Sequence, residues 1–303
     1  MAALAVTPAQ PAARGRADAS PLGPSDDPVI AAAGDIACDP GSPAFNGGRW
    51  TGQSCRQRAV SNLLVDGDFD AILTLGDDQY DDGQLSKFKR SYAKSWGRVK
   101  GITYPAPGNH DYGTAGAAGY FDYFGAAAGS PGKGYYSFDV GSWHLIALNS
   151  NCGTVACDEG SAQRAWLKSD LAASEATCTL AYWHHPRFSS EPHGDDLSVA
   201  PLWRVLYRGG ADIVLNGHDH DYERFGPQAP SGKFDSARGI REFVVGTGGE
   251  SHYPIGSLEP HSRAHDSSSF GVLELALHPA GYSWRFVPAA GGTFTDGGRA
   301  RCH

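Results

Sequence analysis

Five short segments, in a fixed order along the chain, set a metal-ligand residue type beside glycine or proline. They are Gly34-Asp35, Gly76-Asp77-Asp78-Gln79-Tyr80, Gly108-Asn109-His110-Asp111, His184-His185-Pro186 and Gly217-His218-Asp219-His220. Four of them follow runs of strand character, Val29 to Ala33, Ala71 to Leu75, Thr179 to Trp183 and Asp212 to Asn216. The fifth follows the shorter extended stretch Ile102 to Pro107. In an α/β fold the loops leaving the C-terminal ends of strands converge on one crevice, so residues far apart in sequence meet there. Asp, Asn, His and Tyr supply the oxygen and nitrogen donors that suit first-row metals of intermediate hardness.

The rest of the pattern agrees with alternating strands and helices. Gln53 to Val65, Leu85 to Trp96, Gly160 to Ala173 and Val199 to Tyr207 have helical spacing, with Ser161 marking a helix start. Tyr135 to Val140 and Trp143 to Leu148 read as a hairpin turning at Gly141-Ser142. Glu242 to Val245 reads as a further strand, and Phe270 to Leu277 with Tyr282 to Val287 as a last hairpin. Tyr120 to Gly134 reads as a Gly/Ala loop. If the Gly217-His218-Asp219-His220 turn is extended, residues two apart point the same way, so both His face one centre and Asp219 faces away.

The motif order resembles the calcineurin-like metallophosphoesterases and, within them, the purple acid phosphatases. Two positions carry the subgroup. Ala37 stands where many metallophosphoesterases have a ligand His, and Tyr80 stands where the purple acid phosphatases have a tyrosinate ligand. The run His218 to Arg224 is also similar to the family's G-H-x-H-x-Y-E-R. The resemblance implies an α/β fold: a β-sandwich of two mixed sheets flanked by helices, with a dinuclear metal site on loops at the strand C-termini. It implies that Asp35, Asp77, Tyr80 and His220 hold the first metal and Asp77, Asn109, His184 and His218 the second, with Asp77 the bridge. Fe(III) is the expected first ion, and Zn, Mn or Fe(II) the second. Two such ions hydrolyse a phosphate ester by generating a bridging or terminal hydroxide and orienting the phosphate. The resemblance further implies that His110 contacts phosphate and protonates the leaving group, oriented by Asp111, and that His193 faces the substrate. His185 reads as a packed imidazole and Arg224 as a partner of nearby carboxylates. His252, His261 and His265 receive no role.

The expected activity is hydrolysis of small phosphate monoesters. A phosphodiesterase or nucleotide hydrolase on the same scaffold is the alternative, and a secreted phosphate- or metal-binding protein the non-enzymatic one. The 303 residues carry a net charge of −8, which argues against a nucleic-acid-binding surface. No run approaches the ~20 apolar residues of a membrane span. Oligomeric state is not legible. Six cysteines without a C-x-x-C pair fit three disulfides and an extracytoplasmic or secreted setting, with six buried thiols as the alternative. The expected pairs are Cys38 with Cys55, Cys152 with Cys157, and Cys178 with Cys302. Residues 1–28 read as a disordered linker or signal-peptide remnant and 29–303 as one catalytic domain of the single-domain form.

Overall fold

Thirteen strands form two sheets in a computed structural model that describes residues 27–49 and 52–303. The linker or signal remnant expected over residues 1–28 therefore lies outside the described residues, apart from Asp27 and Pro28. In chain order the strands are β1 (Val29–Ala33), β2 (Ala71–Leu75), β3 (Thr103–Ala106), β4 (Tyr136–Val140), β5 (Trp143–Ala147), β6 (Cys178–Tyr182) and β7 (Ile213–Asn216). They continue with β8 (Tyr222–Phe225), β9 (Arg241–Val245), β10 (Ser262–Asp266), β11 (Gly271–His278), β12 (Gly281–Pro288) and β13 (Gly297–Arg301). One sheet has the order β13-β12-β11-β1-β2-β3 and the other β10-β8-β9-β7-β6-β5-β4. Both are mixed: β1-β2-β3 and β5-β6-β7-β9 run parallel, and the outer pairings are antiparallel.

The parallel strands are largely apolar because both of their faces are covered. Successive residues of a strand point to opposite faces, and in the second sheet the two hydrophobic clusters divide along that alternation. Leu145, Leu180, Ile213, Leu215, Phe243 and Val245 join Ile30, Ile72 and Leu73 of the other sheet in the central cluster. Ile146, Ala181, Val214 and Val244 turn outward against α4 (Ala162–Ala173) and α5 (Ala200–Arg208), meeting Leu167, Leu202, Trp203 and Leu206. Ser161 caps α4, its hydroxyl accepting from Arg164 N. On the outer side of the first sheet lie α1 (Gln57–Asp66) and α2 (Leu85–Arg90), contributing Val60, Leu64 and Phe88 to the central cluster.

Several element boundaries differ from the sequence reading. The expected helix over Leu85 to Trp96 ends at Arg90 and gives way to 3-10 turns. The Tyr92 amide donates to Gln79 Oε1 instead of continuing the helical ladder (3.1 Å). The first expected helix starts only at Gln57, since the amides of Cys55 and Arg56 are bonded to the carbonyls of Glu250 and Gly249. The start of the stretch expected as a loop, Tyr120 to Gly134, belongs to α3 (Ala118–Phe124), where burial of Tyr120, Phe121 and Phe124 overrides the Gly/Ala composition. The sequence pattern does not predict the short strands β8, β10 and β13. All three expected disulfides are present: Cys38–Cys55, Cys152–Cys157 and Cys178–Cys302.

Candidate metal centre

The loops leaving β1, β2, β3, β6 and β7 meet at one point. Tyr80 Oη donates to Asp35 Oδ1 at 2.8 Å and lies 3.1 Å from Asp77 Oδ2 and 3.0 Å from His220 Nε2. His220 Nε2 is 3.3 Å from Asp35 Oδ1. On the other side of Asp77, His184 Nε2 lies 3.2 Å from the same Oδ2, 2.9 Å from Asn109 Oδ1 and 3.2 Å from His218 Nδ1. Donor atoms ~3 Å apart are what neighbouring ligands on one ion need when each bond is about 2.0–2.2 Å. The seven side chains thus fall into two donor groups that share Asp77 Oδ2, and their mixture of carboxylate, phenol, amide and imidazole fits a pair of first-row ions.

Local backbone geometry serves this convergence. Asp35, Asp77 and His218 adopt left-handed conformations, with φ of 60°, 48° and 73°. Such conformations in non-glycine residues cost of order 1–3 kcal/mol each and cluster at functional sites. The turn at His218 is accordingly not extended, which corrects the alternation argument. The two His side chains still face the centre, while Asp219 turns back to accept from or share a proton with His193 Nδ1 at 2.7 Å. A Cβ on Gly108 would stand 2.1 Å from Asp77 Oδ1, so only glycine lets the third motif loop pass behind the shared carboxylate.

Electrostatics sharpen the need for cations. Burial raises the cost of ionising Tyr80, and the Asp35 and Asp77 carboxylates push its phenol further above the ordinary value. Burial also opposes charge on Asp77, yet His184 and His110 beside it hold the carboxylate well below the usual range. For His218, burial and the neighbouring His184 and His185 rings drive the pKa down to about 2, so its ring is a neutral nitrogen donor. His184 donates Nδ1–H to the Leu75 carbonyl (2.9 Å), so Nε2 is the nitrogen that faces the centre; against the lowering effect of burial, the Asp77 carboxylate raises the ring's pKa to about 9, and a cation at the centre would displace that proton.

The surrounding residues divide unevenly. His110 Nδ1 bonds to the Asp81 carbonyl at 2.6 Å, and its Nε2 stands 3.9 Å from Asp77 Oδ2. Asp111 does not orient it, contrary to expectation. The Asp111 Oδ2 accepts from the amides of Gly108 (2.9 Å) and Asp78 (3.2 Å), because the 3-10 turn that begins at Asp111 swings its side chain into the interior. His193 packs its ring 4.6 Å from that of His218 with nearly half of its side chain exposed. His185 bonds Ser150 Oγ at 2.8 Å. Tyr222 and Arg224 both bond Asp296, and Glu223 accepts from Ser190, so the tail of the last motif ties loops together and does not enter the centre.

Sequence reading missed a segment at 250–253. Ser251 Oγ sits 2.9 Å from His220 Nδ1, Tyr253 stacks on the His220 ring, and His252 bonds the His220 carbonyl. No motif marks these residues; only tertiary packing brings them there.

A family model for calcineurin-like phosphoesterases matches residues 29–222, well over half of the chain. The chain belongs to the calcineurin-like phosphoesterase family. Within this family it is 37% identical over 103 residues to purple acid phosphatase 15 of Arabidopsis thaliana, covering 32% of this chain and 19% of that protein. An uncharacterized Mycobacterium tuberculosis protein is 29% identical over 211 residues, covering 57% of this chain and 40% of the relative. The chain thus spans less than half the length of these curated relatives. Among solved structures, a purple acid phosphatase from yellow lupin seeds superposes with a TM-score of 0.76 at 19% identity, over 92% of this chain and 54% of that one. GAP50, described as the anchor in the inner membrane complex of Plasmodium, shares the fold with a TM-score of 0.65 at 14% identity, over 91% and 89% of the two chains.

Proposed function

We propose that the chain is a metal-dependent phosphatase, hydrolysing small phosphate monoesters at a dinuclear centre of the purple acid phosphatase type. The observation that carries this reading is Asp77 Oδ2, 3.1 Å from Tyr80 Oη on one side and 3.2 Å from His184 Nε2 on the other. A single carboxylate oxygen common to two donor groups is what two closely spaced cations need to offset their repulsion. Asp35, Asp77, Tyr80 and His220 would hold one ion, and Asp77, Asn109, His184 and His218 the second. A phenol kept neutral by its surroundings becomes a phenolate only against a strongly acidic cation, which favours Fe(III) beside Tyr80. The second group suits Zn, Mn or Fe(II).

When bound, the ions supply an activated water and polarise the phosphoryl oxygens. The chain's own groups then orient substrate and move protons. His110, with Nδ1 committed to the Asp81 carbonyl, presents Nε2 to the leaving oxygen and as imidazolium donates a proton to it. His193, its Nδ1 committed to Asp219, turns Nε2 outward to bind a phosphate oxygen. Asp111 acts at one remove, fixing the Gly108 and Asp78 amides and with them the turn that carries Asn109. Three disulfides fit folding in an oxidising compartment, hence a secreted or extracytoplasmic protein. Among the described residues no helix is long and apolar enough to cross a membrane.

The test is a rate comparison between a nitrophenyl monophosphate and the bis-nitrophenyl diester, with and without prior removal of metal by chelation. Faster turnover of the monoester, abolished by chelation, is expected. Preference for the diester would replace the monoesterase reading, and turnover indifferent to chelation would remove the metal mechanism.

A further inference from the structure

We infer that the segment 250–253 is the positioning element for His220, with Glu250 and Ser251 fixing which ring nitrogen faces the centre. This rests on the reading of His220 as a metal ligand. Glu250 Oε2 accepts a hydrogen bond from Ser251 Oγ, and a carboxylate only accepts. The hydroxyl, having donated its one proton, is left to accept from His220 Nδ1–H across 2.9 Å. Glu250 Oε2 itself lies 3.6 Å from the same nitrogen. Nδ1–H is therefore committed to this pair, and Nε2 is the nitrogen turned to Tyr80 Oη at 3.0 Å and Asp35 Oδ1 at 3.3 Å, the position from which it would ligate an ion.

The same segment holds the ring's other degrees of freedom. Tyr253 lies parallel to it, centroid to centroid 4.0 Å at an interplanar angle of 13°. The His252 ring donates from Nδ1 to the His220 carbonyl at 2.9 Å, which fixes the backbone below the ring. The segment is itself pinned on two sides. The Glu250 amide donates to the Asp35 carbonyl at 3.0 Å, and the Glu250 carbonyl accepts from the Cys55 amide at 2.7 Å. Cys55 is disulfide-bonded to Cys38, three residues beyond Asp35. One short stretch of chain thus braces Asp35 and His220 together, two donors that lie 185 positions apart in sequence but share one ion on the proposed reading. The Asn109 side chain is exposed, and its bond among the described residues is from Oδ1 to His184 Nε2 within the centre.

Outer partners of ligating imidazoles are worth about 10–100-fold in metal affinity. The experiment titrates metal-free protein with Zn²⁺ and resolves its two classes of site by calorimetry. Ser251→Ala and Glu250→Gln should each weaken one class 10–100-fold and leave the other in place. Asn109→Ala should weaken the opposite class, which identifies the two. Ser251→Thr keeps the hydroxyl and should restore wild-type binding, and Tyr253→Phe keeps the stacked ring and should leave the affinity unchanged. Melting of the metal-free variants checks folding, and if Ser251→Ala fails to fold, Glu250→Gln carries the same comparison. Titrations of both variants that superimpose on wild type, or that weaken both classes equally, would overturn the positioning role while leaving the phosphatase reading intact. A wild-type protein that takes up no zinc would instead defeat the phosphatase reading itself.

Discussion

The two halves of the candidate centre are built differently. Asp35, Tyr80 and His220 are buried to 3% exposure or less. Each is fixed from behind, by the segment 250–253 or by the backbone bonds between the first two motif loops. Asn109 and His218 are open to solvent to differing degrees, and beside them stand the half-exposed rings of His110 and His193. Only His184 on that side is fully buried. The contrast suggests a division of labour within one site. On the proposed reading, the buried half would hold its ion rigidly, and the open half would leave room for substrate beside the exposed rings of His110 and His193. Asp77, common to both, is the residue on which the division depends.

The largest expected effect breaks both halves at once. Asp77→Asn removes the charge between them, and turnover of a nitrophenyl monophosphate should drop to that of chelated wild-type protein; substantial residual turnover would speak against a shared bridge. On the open side, His110→Ala should keep both ions and lower turnover by roughly 10²–10⁴, the range for a lost general acid or base. That loss should be larger for an alkyl phosphate, whose alkoxide leaves poorly, than for the nitrophenyl ester. Equal losses would reassign His110 to phosphate contact. His193→Ala should act mainly on KM, raising it by roughly tenfold, about the worth of one charge-assisted hydrogen bond. A fall in kcat with unchanged KM would contradict the positioning role.

The smallest effect lies outside the centre and serves as its control. His144 is bonded through Nε2 to Asp170 (2.8 Å) and through Nδ1 to Asp139 (2.9 Å). The bond to Asp170 lifts its pKa above the ordinary value; burial opposes this and Asp139 adds to it. A pKa raised in the folded state gives stability that is complete below the unfolded value of about 6.5 and fades as pH rises through the folded value. His144→Ala should therefore lower the melting temperature most in mild acid and progressively less above neutrality, a difference of no more than about 1 kcal/mol. Phosphatase turnover should not change. A pH-independent loss would show that packing, and not the charged pair, is what His144 contributes.

Much of this was legible in the chain itself. The apolar runs before Asp35, Asp77, His184 and His218 predicted strands because buried parallel strands have no polar face to disguise them. The motif loops followed from where those strands stop. What stayed hidden depended on contacts distant in sequence. Nothing near Glu250 or Ser251 signals that they back His220, and the helix at Ala118–Phe124 exists because Tyr120, Phe121 and Phe124 find a core. Asp111 adjoins His110 in sequence but not in function: its carboxylate serves the Gly108 and Asp78 amides, a contact that sequence adjacency does not reveal. The left-handed turn at His218 shows that the right side chains can be predicted to converge by a wrong local geometry.

The most direct test counts metal ions per chain, by elemental analysis of protein purified without chelator, in wild type, Asn109→Ala and Asp77→Asn. Two donor groups joined by Asp77 predict close to two ions in wild type, one of them iron, close to one in Asn109→Ala, and well below one in Asp77→Asn. A single ion in the wild-type protein, or two ions retained by Asp77→Asn, would contradict the shared carboxylate and the dinuclear centre built on it.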